Sequence, residues 1–102
     1  MTETICRAIQ SRNLIQFYYV SKASAGLRIV EPYMIAYNEK NHLVLNGWFD
    51  AGTSKSATGP GWREYEIAKI SQVVILVQKS TFTQPDYKPN GGEKFHSVQC
   101  AR

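Results

Sequence analysis

Hydrophobic residues recur at two different spacings along this chain, and the change of spacing divides it into elements. Near the N-terminus Ile5, Ala8 and Ile9 share one helical face, while Arg7, Gln10 and Arg12 lie off it. The spacing predicts one short helix over about residues 2–12, with Thr2 as an N-cap and Glu3 in the first turn. After Asn13 the period falls to two. In 14–20, Ile15, Phe17 and Tyr19 alternate with Gln16 and Tyr18, as in a half-buried strand. Small polar residues over 21–26 make a turn, and a second strand follows over 27–37. Pro32 lies inside it and lacks an amide donor, so an edge, a bulge or a bend is expected there. Asn38-Glu39-Lys40-Asn41 is a tight turn before a third strand over 42–49. Residues 50–61 carry glycines, a proline and hydroxyl residues without hydrophobic period, which predicts a long loop suited to function. A fourth strand spans 62–67 and a fifth 72–78, and the link 68–71 is long enough only for one helical turn. Beyond Phe82, Pro85, Pro89 and Asn90-Gly91-Gly92 predict an irregular tail, pinned to the body through Phe95 and Val98.

One helix and five short strands rich in aromatic and β-branched residues predict a mainly β fold, a small curled barrel that removes exposed edges. Residues 1–80 would form that domain, with 81–102 a tail packed on it or extending from it. The length of 102 residues and the 43% hydrophobic fraction suit one domain with one core. Twelve Lys/Arg against eight Asp/Glu give a formal charge of +4. Seven of those cations fall after residue 51, at Lys55, Arg63, Lys69, Lys79, Lys88, Lys94 and Arg102. Such a surplus draws anions or keeps a small domain soluble. The longest apolar run, 73–77, is too short to cross a bilayer, and the first residues lack the apolar core of a signal peptide. Cys6 and Cys100 stand at opposite ends and do not make a secreted disulfide framework. The expectation is a cytoplasmic protein with two reduced thiols.

Several segments, in order, resemble the WYL domain family. Ala8-Ile9, then Ile15-x-Phe17-x-Tyr19, then Arg28-Ile29-Val30-Glu31-Pro32 are similar to that family's opening. His42-Leu43-Val44 falls where the family has its Trp-Tyr-Leu strand, and Arg63-Glu64-Tyr65-Glu66-Ile67-Ala68-Lys69-Ile70 resembles its Arg-x-Phe-Arg-Leu-x-Arg-Ile segment. The likeness spans about residues 5–77. It implies an Sm-like β-barrel of the kind attached to helix-turn-helix modules in bacterial transcription regulators. Such domains sense nucleotides or nucleic-acid strands and occur in phage defence. Three departures stand out: Asn41 and His42 replace the signature aromatics before Leu43, Glu66 replaces the middle arginine, and no helix-turn-helix pattern is present.

Arg28, Arg63 and Lys69 match the family's cationic positions and are the candidate anion-binding residues, since guanidinium and ammonium groups suit phosphate. Their bland alternative is a set of surface ion pairs, Arg28 with Glu31 and Arg63 with Glu64 or Glu66. Tyr19 and His42 would shape and orient the ligand. The expected function is a non-enzymatic regulatory module for a nucleotide or single-stranded nucleic acid. The rival is self-association or docking on a regulatory protein partner through Trp48, Trp62 and the tail. His96 and Cys100 have a metal-like spacing, but only His42 and Cys6 are left to complete a site, so no metal is expected. No cofactor, catalytic nucleophile–base pair or membrane association is expected either.

Overall fold

The structure is a computed structural model that describes residues 1–22, 25–52, 59–80, 83–87 and 95–102. The central part of the expected 50–61 loop, with Lys55, lies outside the described residues, as do Phe82, Lys88, Pro89, Gly91-Gly92 and Lys94. Among the described residues no helix is long and apolar enough to cross a membrane.

Helix α1 (Thr2–Ser11) buries the stripe seen in the sequence, with Ile5, Ala8 and Ile9 fully covered. Each of those isoleucines contributes about 1.5–3 kcal/mol by leaving water. Met1, not Thr2, is the N-cap, and no side chain caps the helix; the Ile5 amide donates to the Met1 carbonyl at 3.1 Å. The helix starts at Thr2 itself, one residue earlier than a Thr2 cap requires. Arg12 ends it in the left-handed region, at φ 58°, and turns the chain into the sheet.

Among the described residues six antiparallel strands follow: β1 (Asn13–Val20), β2 (Ala25–Tyr37), β3 (Leu43–Gly52), β4 (Gly61–Glu66), β5 (Ile70–Ser80) and β6 (His96–Ala101). The pairing path is β4-β3-β2-β1-β5, with β6 added to β2. Its two ends do not pair with each other among the described residues, so the sheet is open where a closed barrel was expected. A single 3₁₀ turn (Ile67–Lys69) joins those ends, as the short link required.

The proline in β2 marks a bulge. Register slips between Pro32↔Gly47 and Met34↔Asn46, and β2 changes neighbours nearby. Its first half pairs with β1 up to Ile15↔Val30, and its second half pairs with β6 from Met34↔Ala101. Since β3 pairs along β2 from Arg28 to Tyr37, β1 and β6 share the opposite edge. A second irregularity sits in β5, where Gln72 is left-handed (φ 56°) and register slips between Tyr18↔Ser71 and Gln16↔Val74. The bulge puts Ile70 in the core and leaves Val74 and Val77 outside.

The irregular tail is therefore corrected in part, because residues 96–101 form a strand. Phe95 is buried with Met34, Ala36 and Val44, whereas Val98 is exposed. The reduced thiols are corrected outright: Cys6 and Cys100 form a disulfide that ties α1 to β6. The sequence hid this bond because 94 residues separate the two sulfurs.

Candidate ligand-binding site

The core beneath the site is aromatic. Phe17 and Tyr19 of β1 meet Tyr65 of β4 edge to face, with centroids 5.1 Å apart for each ring on Tyr65. Such pairs add about 0.5–1.5 kcal/mol each beyond area burial. Tyr19 then reaches outward. Its hydroxyl accepts from the Glu66 amide at 3.0 Å, so β1 and the end of β4 are locked together.

Beside this contact lies a pocket of about 570 Å³. Tyr19, Lys22, Lys40, His42, Glu66 and Lys69 line it, together with Asn38, Glu39, Val44 and Glu64. Lys22 precedes β2 while Asn38, Glu39, Lys40 and His42 follow it, so the pocket joins segments from opposite ends of that strand. The 3₁₀ turn brings them together: Glu66 pairs with Val44 at the start of β3, and Ile70 pairs with Tyr19 at the end of β1. The turn over 38–42 is fixed by the Asn38 side chain, whose Oδ1 accepts from the amides of Lys40 and His42 at 3.0 Å each.

Glu66 organises the pocket's charge. One carboxylate oxygen lies 2.8 Å from His42 Nδ1, and the other pairs with Lys69 Nζ. The Lys69 bond holds the Glu66 carboxyl below its ordinary range, and the same bond raises Lys69. Both are charged at neutral pH.

Of the five candidate residues, Tyr19, His42 and Lys69 share this pocket; Arg28 and Arg63 do not line it. Arg28 is 3% exposed, sits 5.9 Å from the Tyr19 ring centre and donates to the Leu27 carbonyl at 3.3 Å. Arg63 lies 5.5 Å from the Phe49 ring centre and donates to the carbonyls of Trp62 and Gly59 at 2.9 and 3.0 Å. Both guanidiniums act on Tyr65. Burial pushes its hydroxyl up to about 12, and the charges of Arg28 and Arg63 partly offset that rise. The arginines are thus linked through Tyr65, while the lysine and histidine line the pocket with Tyr19.

Neither a family model nor a curated protein matches the sequence. A solved structure does match in shape: proteasome accessory factor B/C (PafBC) of Arthrobacter aurescens, with a TM-score of 0.67 at 19% identity. The match covers 85% of this chain and 13% of that one, so this chain corresponds to a small part of PafBC. The likeness is one of fold.

The sequence does not single out Lys22, Lys40 or Tyr65 as site residues, and offers Glu64 and Glu66 only as ion-pair partners for Arg63. Lys40 carried a faint signal, its place in a four-residue polar turn two positions before His42. The two tryptophans flank a different feature. Trp62 donates its indole N–H to Asp86 at 2.9 Å and packs on Tyr33, Trp48 and Tyr87. Arg102 lies 3.9 Å from the Tyr33 ring centre on the same side of the molecule. His96 stacks on Tyr37, and its Nε2 sits 3.2 Å from the Asn38 carbonyl.

Proposed function

We propose that this chain is a non-enzymatic binding module of the WYL type, which recognises a phosphate-bearing ligand, either a nucleotide or a short single strand. Its setting is bacterial transcriptional or phage-defence regulation. The observation that carries this reading is the gathering of Tyr19, His42 and Lys69 on one pocket with Lys22 and Lys40 beside them. Ammonium and imidazole groups suit phosphate oxygens, and the hydroxyl of Tyr19 at the pocket wall is a further hydrogen-bonding group. Arg28 and Arg63 add positive potential from behind Tyr65 without touching the ligand. Fold likeness to part of PafBC and the ordered motifs of the WYL resemblance support the same reading. On it, the open sheet is a relaxed form of an Sm-like barrel, its ends drawn together by the 3₁₀ turn.

A docking module built on Trp48 and Trp62 draws less support, because Trp62 is spent on Asp86 and on the rings that hold residues 83–87. A cytoplasmic setting goes with the binding role, and there the Cys6–Cys100 bond would face a reducing environment.

Fluorescence anisotropy of a labelled strand of about ten nucleotides tests the function. With two or three phosphates contacted, affinity should fall about tenfold between ~50 and ~200 mM salt. Lys69→Ala should weaken binding and flatten that slope. Absence of salt-dependent binding to both oligonucleotide and free nucleotides contradicts the proposal.

A further inference from the structure

The pocket already holds an anionic group of its own. Glu66 ends β4 with its amide fixed on the Tyr19 hydroxyl, so the carboxylate has little choice of direction. Its two oxygens are divided between His42 Nδ1 and Lys69 Nζ, much as two oxygens of a bound phosphate would be. The three side chains are 28%, 54% and 42% exposed for Glu66, His42 and Lys69, and ion pairs in water are held weakly and exchange. Around them Lys22 and Lys40 are balanced by Glu39 and Glu64, so the pocket offers no large surplus of charge.

We infer that Glu66 is a resident competitor for the ligand's phosphate, and that the group which displaces it is a terminal phosphate monoester rather than a phosphodiester. The inference rests on the reading that this pocket binds an anion. A phosphodiester carries one negative charge, the same as the carboxylate it must displace, and gains little by the exchange. A monoester carries close to two charges at neutral pH and three acceptor oxygens. It can take over both His42 and Lys69 and still reach Lys22 or Lys40. The ligand class is therefore a nucleoside monophosphate or a strand end bearing a phosphate, in preference to the interior of a strand.

The test uses calorimetric titration of the intact protein with adenosine 5′-monophosphate and with its phosphate methyl ester, at about pH 7.5, where the monoester is mostly dianionic. The wild-type chain should bind the monophosphate about tenfold more tightly than the ester. Glu66→Gln removes the competitor, so both ligands should bind more tightly. Lys69→Gln added to Glu66→Gln should erase the gain. Thermal melts of each variant check that the fold is kept. Equal affinities in the wild type, or a Glu66→Gln protein that binds no better, overturn the inference and leave the anion site standing. Failure of every variant to bind either compound overturns both.

Discussion

Gly47 shows how closely one position is constrained. It pairs with Pro32 on one side and Arg63 on the other, and a Cβ there would stand 2.5 Å from Val30 Cγ1 and 2.8 Å from the Glu31 carbonyl oxygen. The oxygen belongs to the backbone and cannot step aside. Gly47→Ala should therefore cost about 1–3 kcal/mol, read as a lower urea midpoint with little change in slope. Tyr65 makes a second prediction. Its folded pKa of about 12 lies above the unfolded value near 10, so the protonated form is the one the fold favours. That stability is fully present below about pH 10 and is lost as pH rises through 12, amounting to roughly 3 kcal/mol. Denaturation midpoints measured from pH 9 upward should fall across that window, and Tyr65→Phe should remove much of the fall. Neither feature was visible in the sequence. Gly47 carries no turn signature, and the burial of Tyr65 depends on which rings the curled sheet brings against it.

At the scale of elements, α1 and strands β1 to β4 follow the hydrophobic spacing to within a few residues; α1 and β1 each bury one face, whereas β2 is buried on both faces over 30–36. Pro32 correctly announced a bulge, since a missing amide in a paired strand has few other outcomes. β5, expected over 72–78, runs two residues further at each end; the left-handed Gln72 breaks its alternation at the start. β6 was missed altogether. Its residues are mostly exposed, so no alternation betrays it, and it is held by β2 hydrogen bonds and by Cys100. The disulfide closes nearly the whole chain, a constraint worth up to about 4–5 kcal/mol on the unfolded state. Reduction should lower the urea midpoint, and hydrogen exchange should speed up first at residues 34–37 and 96–101 while the β1–β2 amides stay protected. Uniform loss of protection would show instead that the bond supports the whole sheet. Alkylation of thiols in freshly lysed cells reports which form the cell contains.

Taken whole, the molecule uses curvature to make a site from residues that are distant along both chain and strand. Local patterns exposed the strands but not how sharply β2 bends, so the sequence grouped Arg28, Arg63 and Lys69 as one set. The fold divides that set around Tyr19 and Tyr65. Tyr19, His42 and Lys69, candidates from the sequence, line one pocket in the fold. Lys22 and Lys40 became site residues only once the two ends of β2 were seen to approach across the 3₁₀ turn. The most direct test of the binding role is an amide-resolved NMR titration of the oxidised protein with adenosine 5′-monophosphate. Shifts concentrated at residues 19, 22, 40, 42, 66 and 69, fading as salt is added, are the expected result. A spectrum that does not move, or shifts gathered at Trp48, Trp62 and Tyr87, would contradict it.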